Sequence, residues 1–255
     1  METFKDGKLK ISVRNLVEFV LRSGDIDNRQ VAGGDKDAMQ EGTRLHKKIQ
    51  GKMGGNYHAE VPLRMEFPFS DYIIVVEGRA DGIIDGETES DGERTTATID
   101  EIKCVYRELL FIEEPVYIHK AQAMCYGYMY GIQNNMDTIK IQMTYVNIET
   151  EEVKRFQEEF TMTYLKSWFN TVIEEYGKWA EYMYVNQNMM RLTAKSLEFP
   201  YEYRAGQRDV AVSVYKAIDR AVPLYIQAPT GVGKTMSTVF PAVKAMGEDM
   251  AEKIF

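Results

Sequence analysis

Glu77-Gly-Arg-Ala-Asp-Gly-Ile-Ile-Asp85 and, after a polar interval, Ile99-Asp-Glu-Ile-Lys103 are the two stretches that decide the fold. Both read as strands, the first ending in a turn, and the polar run from Gly86 to Arg94 predicts the hairpin between them. Side chains of a strand alternate faces, so Glu101 and Lys103 point one way and Ile102 the other. Asp81 adds a second carboxylate from the neighbouring strand. Two carboxylates and a lysine converging across adjacent strands suit a hard divalent cation, Mg²⁺ or Mn²⁺, held against a phosphodiester. Asp…Glu-x-Lys alone is a weak signal, because acidic and basic residues alternate on many solvated strands.

Working outward, the pattern predicts a helix from Ser12 to Ser23, with Ser12 as N-cap and Leu16, Phe19 and Val20 on one face. A loop from Asp25 to Asp35 leads to a second helix, about Lys36 to Lys52, with Met39, Leu45 and Ile49 inward and Gly54-Gly55 as its stop. Strands are expected at Tyr57 to Phe67, Tyr72 to Gly78, Ala80 to Asp85 and Thr96 to Val105. Pro115 opens a helix through Tyr130, which Gly131 is placed to end. Strands at Thr138 to Ile148 and Glu152 to Met162 precede a long amphipathic helix, Tyr164 to Asn188, whose Leu165, Trp168, Phe169, Val172, Ile173, Tyr176 and Trp179 read as core. Arg191 to Ser196 reads as a linker, dividing the chain into segments 1–191 and 192–255.

His46 stands four residues after Gly42, on the same helical face, and Gln122 and Tyr126 are also four apart, on the helix after the Glu-x-Lys strand. Gly-x-x-x-His, Gly-x-x-Asp, Glu-x-Lys and Gln-x-x-x-Tyr follow one another here on a helix, a strand, a strand and a helix. In this order the chain resembles, over about residues 10 to 190, the RecB-type branch of the PD-(D/E)XK nuclease superfamily. The resemblance implies an α/β fold with a restriction-endonuclease-like core, a central mixed sheet flanked by helices. It also implies metal ligation by His46, Asp81, Glu101 and the Ile102 carbonyl. Lys103 would be the catalytic lysine, and Gln122 and Tyr126 would support the site and contact DNA. Imidazole suits Mn²⁺ better than Mg²⁺, so a manganese preference is expected. Some members of that branch carry a four-cysteine iron–sulfur cluster; Cys104 and Cys125 alone cannot, and no cluster is expected.

Downstream, Ala228-Pro-Thr-Gly-Val-Gly-Lys-Thr235 follows the apolar Pro223-Leu-Tyr-Ile-Gln227, so a strand is expected to hand over to a helix through a phosphate-binding loop. Thr230, Gly231 and Gly233 would shape a cradle of N–H groups, Lys234 would reach the outer phosphates of ATP, and Thr235 would hold Mg²⁺. With Phe199-Pro-Tyr-Glu-Tyr-Arg-Ala-Gly-Gln207, this segment is similar to the start of the DinG/XPD group of superfamily 2 DNA helicases. That likeness implies adenine contacts from Arg204 and Gln207. No acidic second ATPase motif follows Thr235 in the remaining residues, so a truncated P-loop NTPase segment is expected to bind nucleotide without hydrolysing it well.

Bulk properties set limits. The 255 residues, 44% apolar and 27% charged, are those of a folded chain, and the longest apolar runs are too short to span a membrane. Two cysteines make no disulfide framework, and a cytoplasmic protein is expected. The net charge of −8 argues against a general coat for nucleic acid, so DNA contacts would come from Arg79, Lys103, Arg107 and Lys120 near the site. The expectation is a metal-dependent DNA nuclease, cutting single-stranded DNA as an exonuclease, joined to an ATP-dependent helicase in repair or recombination. The alternative is a nuclease-fold module that has lost catalysis and binds DNA for the helicase.

Overall fold

The computed structural model describes residues 3–22, 36–86, 96–251 and 254, with the side chains of 36–39 excepted. The expected loop at 25–35, the inward Met39 and the hairpin interior at 87–94 lie outside the described residues. Two compact units divide the chain, Met1–Ala180 and Glu181–Phe255.

The first unit is α/β: a mixed six-stranded sheet with helices packed on it. Its strands are β1 (Lys8–Ser12), β2 (Tyr57–Pro68), β3 (Ile73–Ile84), β4 (Ala97–Val105), β5 (Thr138–Asn147) and β6 (Val153–Thr161). Its helices are α1 (Val13–Val20), α2 (Lys36–Gln50), α3 (Tyr117–Gln133) and the first part of α4 (Met162–Ser196). A short 3₁₀ turn, Leu109–Phe111, lies between β4 and α3.

β3 organises the sheet. β2 pairs with it antiparallel from Ile73 to Ile84, so the two strands expected at 72–78 and 80–85 are one, held straight along a single partner. β1 pairs in parallel with its first half, Ile73 to Glu77, and β4 antiparallel with its end, Gly82 to Ile84. A strand has two edges, and β2 fills one of them. β1 and β4 therefore share the other, and between them β3 residues 78–81 have no ladder partner on that edge. Beyond Asp100, β4 leaves β3 but stays paired in parallel with β5 as far as Val105.

β1 itself was not anticipated. It runs directly into α1, whose first turn is capped by the Ser12 hydroxyl accepting from the Asn15 N–H at 3.1 Å. Leu16 is buried as expected. Phe19 is not: it is 49% exposed, its ring edge-on to Tyr176, while Val13 and Val17 join Leu16 inside. The helix meets the sheet one residue out of phase with the predicted face.

α2 and α3 cover opposite faces. Leu45 and Ile49 of α2 pack on Ile102 and Val146. On the other face Gly127 of α3 lies so close to Ile139 and Ile141 that a Cβ there would stand 2.8 Å from the Ile141 methyl. Gly131 does not end α3. It is buried against the Met162 side chain, which a Cβ would overlap, and the helix runs on to Gln133. α4 buries Leu165, Phe169, Val172, Ile173 and Tyr176 as read, but Trp168 is only half-buried and Trp179 is 38% exposed, not core, and the helix continues through Arg191 to Ser196, where a linker was expected. Those six residues contain no glycine or proline, and nothing in them breaks a helix.

In the second unit α5 (Gln207–Asp219) and α6 (Lys234–Gly247) pack together. The strand expected at 223–227 is not formed: the segment has no ladder partner among the described residues, and Tyr225 is 95% exposed. Parallel strands draw their stability from neighbours, and an isolated one has nowhere to place its hydrogen bonds.

Candidate active site

The unpartnered stretch of β3 is where the upstream residues meet. Since Ile102 faces α2, Glu101 and Lys103 point to the α3 side. Asp81, one residue beyond the last β3–β4 pair, fills the opening. Its Oδ2 accepts the Ile102 N–H at 2.8 Å, taking the place of a ladder bond. N–H and C=O of one strand residue leave on the same edge, so the Ile102 carbonyl faces the opening as well.

Glu101 is 4% exposed. Its Oε1 accepts from the Lys103 ammonium at 2.8 Å, while its Oε2 accepts nothing, the one such buried side-chain atom among the described residues. A buried carboxylate oxygen without a protein partner costs free energy unless a proton, a water or a cation meets it. Burial and the Asp81 charge push the Glu101 carboxyl up to about 7, although Lys103 opposes them. Burial also raises Asp81, against the pull of the Ile102 N–H, His46 and Lys103.

His46 comes from α2, placed by the burial of Leu45 and Ile49 on either side of it. Its Nδ1 is 3.9 Å from Asp81 Oδ1, too far for a hydrogen bond. One turn later Gln50 donates to the Asp81 carbonyl at 2.9 Å. Exposed ion pairs from Arg44 and Lys48 to Glu151 tie the outer side of α2 to the β5–β6 turn. Gly42 meets no neighbour that an added Cβ would touch, so close packing does not require glycine there.

Tyr126 reaches the opening from α3. Its hydroxyl accepts the Arg79 N–H, and a Cβ on Gly78 would stand 2.7 Å from that oxygen, so the strand must be bare at Gly78 to seat it. Gln122, one turn earlier, is buried. Of the basic candidates, Lys120 is engaged with Glu158 at 2.5 Å, Arg79 with Glu60 at 3.5 Å and Lys103 with Glu101 at 2.8 Å, while Arg107, just past the end of β4, is exposed.

One arrangement had no sequence signal. Asp100, fully buried on the α2 face, accepts hydrogen bonds from Gln142 at 2.9 Å, Thr144 at 2.5 Å and Tyr57 at 3.3 Å. Tyr57 crosses Gly82 to get there, and a Cβ on Gly82 would overlap its ring. This knot anchors β4 from behind, directly beside Glu101.

A scan of family models finds no match to this chain, and a search of curated proteins finds none either. Among solved structures the chain is similar to one titled "Crystal structure of SSO0001", with 17% identity, a TM-score of 0.41, and coverage of 68% of this chain and 78% of that one. No helix among the described residues is long and apolar enough to cross a membrane.

In the second unit the loop residues do come together. Gly231 and Gly233 have φ of 85° and 86°, values that glycine adopts without strain, and α6 begins at Lys234. Gln207 is buried with both ends of its amide engaged, Oε1 accepting the Arg204 N–H at 3.0 Å and Nε2 donating to the Gly233 carbonyl at 3.4 Å. The Arg204 guanidinium donates to the Gly231 carbonyl. Both residues therefore hold the loop itself. Lys234 folds back on the Ala228 carbonyl at 2.8 Å, while Thr230 and Thr235 lie at the loop and on the first turn of α6.

Proposed function

We propose that the N-terminal unit is a divalent-metal-dependent deoxyribonuclease acting on single-stranded DNA, in a protein that couples cutting to an ATP-dependent helicase motor. The observation that carries this reading is Glu101 Oε2: a buried carboxylate oxygen with no partner, one strand from Asp81 and on the same side as Lys103. Such an oxygen suits a hard cation, and Asp81, with His46 Nδ1 3.9 Å from its Oδ1, offers further donors of the kind such a cation takes. Among the described residues no group of three or more His, Cys, Asp or Glu side chains is placed to hold a metal ion as the side chains stand, so binding would have to draw them together. The ligands would be Glu101, Asp81, His46 and the Ile102 carbonyl. Bound there, Mg²⁺ or Mn²⁺ would supply Lewis-acid polarisation of a phosphoryl oxygen and lower the pKa of a ligated water.

The chain's own residues do the rest. The Ile102 N–H fixes the Asp81 carboxylate in one orientation. Glu101 Oε1 holds the Lys103 ammonium at the mouth, where it can orient the attacking water or offset the charge that grows on the phosphorane oxygens. Tyr126 lies against Gly78, on the stretch of β3 that β1 and β4 leave free. In the second unit, the loop before α6 presents N–H groups at a helix N-terminus, a setting suited to the phosphates of ATP.

Cleavage of end-labelled single-stranded and duplex DNA with Mn²⁺, Mg²⁺ or EDTA tests the reading. Cutting that needs metal and is eliminated by Lys103→Ala is expected. Folded protein that cuts with no metal ion, or a Lys103→Ala variant as active as the parent, would overturn it.

A further inference from the structure

His119 was not among the expected site residues, yet it stands on the same face of α3 as two of them. On α3 it stands three residues before Gln122 and seven before Tyr126, so the three form one stripe of the helix. It is half-buried, and the charges that act on it come from other elements: Lys103 on β4, and Arg14 and Glu18 on α1. Its nearest polar partner is Tyr145, which is paired in register with Lys103 on the adjacent strand. His119, Tyr145 and Lys103 are thus neighbours on the α3 side of the sheet.

The hydrogen bonds suit the tautomer that carries its proton on Nε2. The buried Tyr145 hydroxyl accepts the Val116 N–H at 2.9 Å, leaving its own hydrogen for one acceptor, His119 Nδ1 at 3.3 Å. An Nδ1 that accepts leaves the proton of a neutral ring on Nε2. Nε2 has no protein partner among the described residues. Burial, with Lys103 and Arg14 adding to it, pulls the imidazole down to about 4, so the ring stays neutral at physiological pH. A neutral imidazole held as an N–H donor next to a developing negative charge is a known way to stabilise a transition state without transferring a proton.

We infer that His119 is a further catalytic residue of this site: with Tyr145 holding its Nδ1, its Nε2–H donates to a non-bridging oxygen of the scissile phosphate beside Lys103. The inference rests on the nuclease reading above. No proton changes hands at His119; the bond it makes strengthens as charge accumulates on that oxygen.

The test uses the whole chain with Mn²⁺ and a single-stranded oligonucleotide, comparing the parent with His119→Phe, His119→Gln and His119→Asn. Removing one donor to a developing oxyanion costs about 10²- to 10³-fold in kcat. His119→Phe should lose that much with KM within about threefold, because the bond matters most in the transition state. Glutamine places its amide nitrogen near the Nε2 position and asparagine near Nδ1, so His119→Gln should keep much more of kcat than His119→Asn. The Mn²⁺-induced rise in Tm should be unchanged in all three, since none alters a proposed ligand. Parental kcat in His119→Phe, or equal losses in the glutamine and asparagine variants, would overturn the inference while leaving the nuclease standing. A parent that does not cut at all removes both.

Discussion

Replacing Glu101 with glutamine should make the metal-free protein more stable, an unusual outcome for a change in a buried, hydrogen-bonded residue. The folded-state carboxyl is raised from its ordinary 4.5 to about 7, first by burial and then by the Asp81 charge. In the unfolded chain it ionises near 4.5, so between these values the unfolded state releases a proton that the folded state retains. Folding stability therefore declines as pH rises from about 4.5, and the loss is complete above about 7. At about 1.4 kcal/mol per pH unit, the total is on the order of 3 kcal/mol. Glutamine keeps the volume and can still accept from Lys103, but it cannot ionise. In EDTA at pH 8 its Tm should exceed the parent's by about 6–12 °C, taking 2–4 °C per kcal/mol for a unit of this size. At pH 4.5 the two should melt together. Added Mn²⁺ should reverse the order at pH 8, raising the parent's Tm and leaving the variant's alone. Thermal melts across this pH range, with and without metal, decide it. A gap that does not change with pH, or a variant less stable than the parent at pH 8, would refute the reasoning.

Three further outcomes follow from the packing. Asp100→Asn keeps an oxygen for Gln142 and Thr144 but turns an N–H₂ toward Tyr57, whose hydroxyl must then accept instead of donate, and should cost about 1–3 kcal/mol in urea unfolding. Gly82→Ala forces the Tyr57 ring off its path and should cost about 1–3 kcal/mol, part of which Tyr57→Ala should return; additive losses in the double variant would contradict this. Lys234→Ala should remove binding of radiolabelled ATP on filters, with Thr235→Ala removing mainly its Mg²⁺ dependence, and undiminished binding in Lys234→Ala would count against the loop.

The elements most legible beforehand were those whose pattern depends on their own backbone. Leu45 and Ile49 of α2, the aliphatic residues, Phe169 and Tyr176 of the α4 stripe, and the alternation through Ile99 to Lys103 all face as their periodicity predicts, while Trp168 and Trp179 of that stripe do not reach the core. The failures share a cause. Phe19 reads as core by spacing, but its exposure depends on how α1 is rotated on the sheet. Gly131 reads as a stop, but it is a place where Met162 comes close. The 223–227 segment has a strand's composition and lacks a strand's neighbours. His119 gave no signal at all, because its partner Tyr145 lies across the sheet on β5.

By itself, then, the sequence determined that Glu101 and Lys103 share a face, that His46 lies beside a buried helical stripe, and that Gln122 and Tyr126 lie one turn apart on a single helix. Each of these follows from the fixed period of a strand or a helix, a local property of the chain. Only the tertiary structure decided that β1 and β4 share one edge of β3, opening a gap at residues 78–81 into which Asp81 turns to take the Ile102 N–H. It also decided that Glu101 is buried with one oxygen unpartnered, that Asp100 is held from behind by three donors, and that Gln207 and Arg204 hold the glycine loop. Strand pairing and burial depend on residues far apart in the chain, and desolvation, which raises the Glu101 carboxyl, exists only once those residues have closed around it.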